Sequence, residues 1–526
     1  MMADQPLSST RTIGWLLDGW PVSKAALPSA IQTVAIANLV LDSREINRGD
    51  SFVALPGESG NGADYIDKAI ANGATSVLLP SSSSGFSHEW RQKVPLVYIP
   101  GLTEYVSALA VRFYDNPSAK LPVIGVTGTN GKTTCAHVIA QIAAFSGRHC
   151  GVLGTLGYGV YLKCNGQQSQ VDDIAMTTGS AYTLTTPDVL TIQANIQEMI
   201  DAGAECLVLE ASSHGLVQGR VADVDINTAV FTNLTRDHLD YHGDMDSYGR
   251  AKAILFGMAS VGKAVINIDD DFGRQLVSQF RNTRAIVTYS IDNTDADFYL
   301  TAIDYQDSGI TAKLHSPFGI VGLSTKLLGQ FNLSNLLATL ATHINNSDQL
   351  EQVTSYAEKL KPVIGRMESI ANHSDIEIIV DFAHTPDALE QTLAAVAKHC
   401  RGQLWCLFGC GGNRDTEKRP LMAAIAEQRA DHIIVTSDNP RNEDPMAIIE
   451  NICTGFSPNA NYKIIEDRKL AINNAIEKMQ PQDLLLIAGK GHENYQLIGN
   501  QKLPFSDQSH ARMAVQRREQ QHASGQ

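Results

Sequence analysis

The sequence predicts an α/β protein of three domains, and three observations predict it. Its 526 residues exceed the ~250–300 residues at which one hydrophobic core stops growing. Short β-branched runs alternate with helix-like segments throughout, the pattern of parallel sheets covered by helices. With 43% hydrophobic and 18% charged residues, the composition is that of a globular protein.

In chain order the strand-like runs are 76–79, 96–99, 121–126, 206–209, 227–231, 264–267, 376–380, 404–408, 433–436 and 484–488. The stretch from Ser81 to Gly85 reads as a loop and Asp115-Asn116-Pro117-Ser118 as a linker, which closes a smaller N-terminal α/β domain at 1–118. A central domain with a doubly wound sheet is expected over 119–361. It ends after a helix at Leu333 to Ile344, near Lys361-Pro362, and a new strand-and-helix series fills a Rossmann-like C-terminal domain at 362–526. No internal repeat is evident, and the polar end, Gln516 to Gln526, is expected to fray.

A net charge of −15 argues against a general nucleic-acid or anionic-membrane surface, because such binding needs clustered Lys and Arg. The apolar runs are far shorter than the ~20 residues of a membrane span, and the polar segment Met1 to Thr10 carries no secretory signal. A cytoplasmic location is expected. The eight cysteines include no C-x-x-C pair, so neither a zinc knuckle nor a disulfide framework is indicated, and reduced structural thiols are expected.

The segment Val123 to Val126 followed by Thr127-Gly128-Thr129-Asn130-Gly131-Lys132-Thr133-Thr134 reads as an apolar strand, a glycine turn, and a helix from about Lys132 to Phe145. That context suits a phosphate loop. Glycines let backbone N–H groups turn toward phosphate oxygens, Lys132 reaches the outer phosphates, and the Thr133 hydroxyl can hold Mg²⁺. The match to G-x-x-x-x-G-K-[ST] is imperfect, since Val126 stands five before Gly131. Without a ligand this would be a bare strand-to-helix turn, which leaves Lys-Thr-Thr unexplained.

Cys206 to Leu209 reads as a buried strand ending on Glu210, where ligands of open parallel sheets bind. The next strand runs into Asp237-His238-Leu239-Asp240-Tyr241-His242-Gly243. Alone, His238 is equally a structural histidine; following a strand in the phosphate-loop domain, it becomes a metal-ligand candidate. The His238/His242 spacing resembles a helical zinc pair, but no H-E-x-x-H is present and Tyr241-His242-Gly243 reads as a turn.

Together with Glu210-Ala211-Ser212-Ser213-His214-Gly215, these segments resemble the Mur ligases of peptidoglycan synthesis. The resemblance runs from about Leu41 to Asp507, through Gly329-Gln330-Phe331-Asn332, Gly365-Arg366-Met367-Glu368, Asp381-Phe382-Ala383-His384, Phe408-Gly409-Cys410-Gly411-Gly412-Asn413-Arg414-Asp415 and Gly489-Lys490-Gly491-His492-Glu493. Within the family, Asp438-Asn439-Pro440-Arg441 is similar to the diaminopimelate-adding members. A guanidinium fork suits the second carboxylate that meso-diaminopimelate has and lysine lacks.

The resemblance implies a P-loop ATP-binding central domain using Gly128, Thr129, Asn130, Gly131, Lys132, Thr133, Thr134, Asn332, Arg366 and Asp381, with ATP and Mg²⁺ as cofactors. It assigns catalysis to Lys132, Glu210, His238 and Lys252, and metal ligation to Thr133, Glu210, His238 and Lys252. UDP-N-acetylmuramoyl-L-alanyl-D-glutamate would be met by Leu41, Ser43, Thr185, Thr186, Ser212, Gln218 and Arg220. Meso-diaminopimelate would be met by Arg414, Asp438, Asn439, Pro440, Arg441, Gly489 and Glu493. Lys252 read alone is an ordinary surface lysine; its family counterpart is carbamylated. A monomer is expected, with domain closure bringing the amine to an acyl phosphate.

The sequence departs from the family pattern at Leu184, where Asn is frequent, at Glu58-Ser59-Gly60, where a His-containing loop is usual, and at Phe382, where Tyr is common. Two other readings compete. Asp438 to Arg441 and Leu41 to Ser43 count against a folylpolyglutamate synthetase-like ligase, and intact Lys132, Glu210, His238 and Lys252 count against a non-catalytic ATP-binding protein.

Overall fold

The computed structural model describes residues 11–20, 27–57, 60–164, 184–306, 309–370 and 375–524. The segment 1–10 read for a secretory signal and the departure at Glu58-Ser59 lie outside the described residues. Among the described residues, strands build three large sheets and one hairpin.

The first sheet contains β1 (Leu39–Val40), β2 (Ser51–Val53), β3 (Ser76–Ser81), β4 (Ser87–Arg91) and β5 (Val94–Pro100), in the order β1-β2-β3-β5-β4. All neighbours are parallel except the edge pair β4–β5.

The central sheet has ten strands. They are β6 (Val123–Thr127), β7 (Cys150–Gly154), β8 (Gly157–Tyr161), β9 (Cys206–Glu210), β10 (Ile226–Phe231), β11 (Lys263–Asn267), β12 (Ala285–Ser290), β13 (Phe298–Gln306), β14 (Gly309–Ser316) and β15 (Gly319–Thr325), ordered β15-β14-β13-β12-β11-β10-β6-β9-β7-β8. Separate apolar clusters cover it: the helices Lys132–Phe145 and Gln330–His343 contribute to one, and Ile192, Ile196, Leu255 and Phe256 to the other. Burial on both faces explains why the central strands read as continuous apolar runs. Strand β6 lies between β9 and β10, so the chain leaves it at the crevice where doubly wound sheets bind ligands.

The third sheet is ordered β16-β17-β21-β18-β19-β20. Its strands are β16 (Glu368–Ser369), β17 (Glu377–Asp381), β18 (Leu404–Phe408), β19 (His432–Val435), β20 (Tyr462–Ile464) and β21 (Leu484–Ala488), followed by a hairpin of β22 (Tyr495–Ile498) and β23 (Gln501–Pro504). The parallel strands β17, β21, β18 and β19 point their carboxyl ends toward the same edge. Gln141, from the helix after β6, holds the connector into this region: its amide donates to the Lys361 carbonyl at 3.1 Å and accepts the Lys361 N–H at 2.9 Å.

Each strand-like run lies in or overlaps a strand, and the phosphate-loop helix occupies Lys132–Phe145. Three expectations are corrected. Tyr241-His242-Gly243 is not a turn throughout, because Leu239–His242 forms one helical turn that stops at Gly243. The polar end is helical through Ser524 within Asp507–Ser524; Ala514 and Val515 are buried, and Arg518 donates to the carbonyls of Ile476 and Met479, contacts that offset fraying. Lys252 is not a surface lysine, being 1% exposed.

Candidate active site between the central and C-terminal sheets

The phosphate loop is clamped by the segment after β10. Asn233 accepts the Thr129 N–H through its carbonyl at 2.9 Å and the Asn130 N–H through its side chain at 2.9 Å, while the Thr232 hydroxyl donates to the Asn130 carbonyl at 2.6 Å. Gly131 sits at φ +87°, where a Cβ would collide with the Asn335 amide, so only glycine fits that turn. Lys132 folds over the loop, donating to the carbonyls of Gly128 at 2.9 Å and Thr129 at 2.8 Å. Burial lowers its pKa below the ordinary lysine range, against the opposing pull of Glu210 and Asp237.

Glu210 is fully buried at the end of β9 and accepts the Thr133 hydroxyl at 2.9 Å, the Thr155 hydroxyl at 3.0 Å and the Thr155 N–H at 2.9 Å. Hydroxyl and carboxylate oxygens are the donor set that Mg²⁺ prefers. His238 is exposed, sits at φ +53° and pairs with Asp237 at 3.3 Å. Among the described residues no three His, Cys, Asp or Glu side chains gather in metal-holding geometry.

Tyr248, which the sequence reading missed, ties these groups together. Its hydroxyl lies 3.2 Å from Thr129 Oγ1, Lys252 Nζ stands 4.2 Å from its ring centre, and the rings of His238 and His242 pack at 6.1 and 5.0 Å. The i, i+4 spacing of Tyr248 and Lys252 on one helix was the available signal. Burial, with the nearby Lys132 charge, lowers the Lys252 pKa well below its ordinary value, against the opposing pull of Asp237.

Arg366 reaches across from the connector. Its Nη2 lies 3.5 Å from Thr133 Oγ1, and its guanidinium covers the Phe382 ring at 4.7 Å, so Phe382 serves as a cation–π platform. Arg366 Nε and Asn332 Oδ1 are buried without partners, which is how polar atoms reserved for a ligand look. Asp381 instead spends both oxygens inward, accepting the N–H of Met367 at 2.7 Å and of Ala383 at 2.8 Å. It orients the Arg366 turn.

Thr185, Thr186, Ser212, Gln218 and Arg220 form one connected group. The Thr186 hydroxyl donates to the Glu210 carbonyl at 2.7 Å and accepts the Ser212 N–H at 2.9 Å; Arg220 donates to the Thr186 carbonyl at 2.7 Å and to Gln218. Thr185 meets Thr155 at 3.1 Å. Leu41 and Ser43 follow β1, where Leu41 packs against a cluster that includes Val189 and Leu190 of the central region.

The residues expected to meet the acceptor amino acid lie at and just after the carboxyl ends of β18, β19 and β21. A Cβ on Gly411 would lie 2.8 Å from Arg441 Nη1 and 3.9 Å from Arg414 Cγ, so both arginines flank this point. Arg441 donates to the Gly412 carbonyl at 2.7 Å and adopts φ +53°, fixed through its N–H to Leu497 and its carbonyl to Gly499. Gly489, at φ +117°, brings the chain against Asp438. The hairpin β22–β23 is a support that the sequence reading missed: Gln496 donates to the Asp438 carbonyl at 2.6 Å, and the Leu497 N–H reaches Asn439 Oδ1 at 2.9 Å.

Residues 35–114 match the Mur ligase family catalytic domain, 126–343 the Mur ligase middle domain, and 365–491 the Mur ligase glutamate ligase domain. A protein of Ectopseudomonas mendocina named UDP-N-acetylmuramoyl-L-alanyl-D-glutamate–2,6-diaminopimelate ligase is 43% identical, over 94% of this chain and 98% of that protein. A solved structure of a ligase with that name is 34% identical, has a TM-score of 0.65, and is matched over 97% of this chain and 100% of the other. A Mycobacterium tuberculosis folylpolyglutamate synthase shares the fold at 17% identity and a TM-score of 0.56, over 74% of this chain and 92% of the other. Among the described residues no helix is long and apolar enough to cross a membrane. The chain therefore belongs to the Mur ligase family and is an ATP-dependent ligase.

Proposed function

We propose that this chain joins meso-diaminopimelate to UDP-N-acetylmuramoyl-L-alanyl-D-glutamate, as a cytoplasmic monomer in peptidoglycan precursor synthesis. The observation that carries the reading is the placement of Arg414 and Arg441 together beside Gly411, in a chain 43% identical to a relative named for that reaction. The divisions 1–118, 119–361 and 362–526 are proposed as its UDP-substrate, ATP and amino-acid domains.

A carboxylate is a poor electrophile and needs activation. The γ-phosphoryl group passes to the D-glutamyl carboxylate, with the bond to ADP breaking, and gives an acyl phosphate. The diaminopimelate amine, as free base, attacks the carbonyl carbon, and the tetrahedral intermediate collapses by expelling inorganic phosphate, which carries off the proton the nitrogen sheds. Lys132 offsets charge on the transferred group and Arg366 meets the phosphates beside Thr133. Thr133, Glu210, His238 and carbamylated Lys252 would hold Mg²⁺, which when bound neutralises phosphate charge. Carbamylation requires a neutral amine to attack CO₂ and lose a proton; the near-complete burial of Lys252 favours that amine.

Thr185, Thr186, Ser212, Gln218 and Arg220 hold the muramoyl peptide, with Leu41 and Ser43 at the uridine. Arg414 and Arg441 receive the distal carboxylate, while Asp438, Asn439, Pro440, Gly489 and Glu493 shape the remaining contacts. ATP-dependent ligation with diaminopimelate, lysine and ornithine as competing acceptors tests the reading. Amide product with diaminopimelate and little with the others is expected; preference for lysine, or phosphate release without any amino acid at full rate, would overturn it.

A further inference from the structure

Lys490 is completely buried, yet its ammonium lies 2.9 Å from Glu493 Oε2, 3.0 Å from Asn439 Oδ1 and 3.5 Å from Asp438 Oδ1. Three acceptors for three N–H bonds is full satisfaction for an ammonium, and a buried charge needs such compensation. Asp438, Asn439 and Glu493 are all residues assigned to the acceptor amino acid, whereas Lys490 carries no assignment.

The contacts fix more than charge. Asn439 Oδ1 is occupied by Lys490 Nζ and by the Leu497 N–H at 2.9 Å, and Asn439 Nδ2 donates to Glu493 Oε2 at 2.8 Å. The amide therefore has one orientation, with its oxygen turned inward and its second N–H left over. Glu493 Oε2 receives both Lys490 and Asn439, which sets the rotation of its carboxylate. The Glu493 N–H also donates to the Lys490 carbonyl at 2.9 Å, so backbone and side chain lock the loop together.

We propose that Lys490 is a positioning residue for amino-acid selection: it holds Asp438, Asn439 and Glu493 in the arrangement that receives the acceptor, without touching the reacting atoms. The inference rests on the pocket assignment made above. Its function is separable from the first half-reaction, because the acyl phosphate forms at the phosphate loop and does not need the amino acid.

The full-length Lys490→Met enzyme, assayed with ATP and the UDP-dipeptide, tests this with two nucleophiles. Hydroxylamine, too small to need the pocket, should trap the acyl phosphate as hydroxamate within about threefold of the wild-type rate. Efficiency with diaminopimelate should fall by ~30-fold or more, carried by KM, while the KM for ATP holds. A folded variant that loses both reactions equally, or that keeps diaminopimelate efficiency, overturns the proposal. Should the single variant fail to fold, Lys490→Met/Glu493→Gln removes one charge of each sign and is read against Glu493→Gln alone. The further loss from the added Lys490→Met is expected to fall short of ~30-fold, since part of what Lys490 does passes through Glu493; a further loss of ~30-fold or more, as large as that expected from Lys490→Met alone, overturns it. Wild-type enzyme that makes hydroxamate but no diaminopimelate product would defeat the acceptor assignment instead, independently of Lys490.

Discussion

The phosphate loop is one continuous stretch from Thr127 to Thr134, held mainly by backbone and hydroxyl bonds, whereas the proposed amino-acid site draws charged side chains from three segments between Gly411 and Glu493. The first gathers one lysine and the N–H groups of a helix start, and its shape is set by a glycine turn clamped by Thr232 and Asn233. The second depends on rigid placement of opposite charges by neighbouring loops. The difference teaches where, on the proposed roles, each site is vulnerable: the loop through its cation, the amino-acid site through its supports.

The largest effect should come from Lys132→Ala, which removes the loop's cation while leaving its backbone clamp. Turnover should drop by at least ~100-fold with a melting temperature close to wild type. Phosphate release and a thermal melt read both quantities, and a folded variant at wild-type rate would break the comparison at its first term. Lys252→Ala should come next, nearly inactive and partly restored by a short carboxylic acid that fills the space of a carbamate. An active enzyme whose intact mass and density show an unmodified Lys252 would remove that idea.

In the pocket, Arg441→Asn is the cleaner replacement, because asparagine tolerates the left-handed backbone that Arg441 adopts. Losing a charged donor to a desolvated carboxylate costs ~2–5 kcal/mol, or roughly 30-fold and upward in efficiency. Lysine should gain little, since Arg414 remains; measuring both acceptors on both enzymes decides whether Arg441 sets the preference. Gln496→Ala sharpens the contrast further. It deletes the neutral hydrogen bond to the Asp438 carbonyl at 2.6 Å, worth ~0.5–1.5 kcal/mol, and a longer one to Ser437 Oγ at 3.4 Å, so a loss of roughly 2- to 10-fold in diaminopimelate efficiency with unchanged KM for ATP is expected. An equal effect on both substrates would mean that the hairpin supports the whole site and not the pocket alone.

The smallest effect concerns the scaffold behind the loop. His343 is buried, lies 3.0 Å from the Ile139 carbonyl of the phosphate-loop helix, and burial pulls its pKa down to about 4 from 6.5. The folded protein keeps it neutral where the unfolded chain takes up a proton, so its contribution to stability is present above pH 6.5 and is lost as pH falls toward 4. Chemical denaturation across that window should show a shallower pH slope for His343→Asn than for wild type; parallel slopes would remove His343 from the account.

Much of the fold was legible because both faces of the central sheet are covered, which writes β6, β9 and β10 as apolar runs. The antiparallel strands β13 to β15 were not recognised: their alternation of buried and exposed positions carries a weaker signal than a continuous run. Lys132 and Glu210 could be read from strand ends and local motif chemistry. Tyr248, Gln496 and the true environment of Lys252 could not be placed by composition, since their meaning depends on partners brought together by the fold. Lys252 in particular looks solvent-facing until the helix Met245–Gly257 packs its inner face against the sheet.

With the role proposed for Arg441, its backbone has a consequence for how acceptor preference can drift among descendants of this sequence. Because its N–H and carbonyl are both fastened to the hairpin at φ +53°, a β-branched or bulky replacement carries ~1–3 kcal/mol of conformational strain before any ligand is considered. Single-step routes to a new acceptor are thereby narrowed to residues that accept this conformation, such as asparagine or glycine. A lineage that needs valine or isoleucine here must first rebuild β22–β23, so acceptor choice and hairpin sequence are expected to change together.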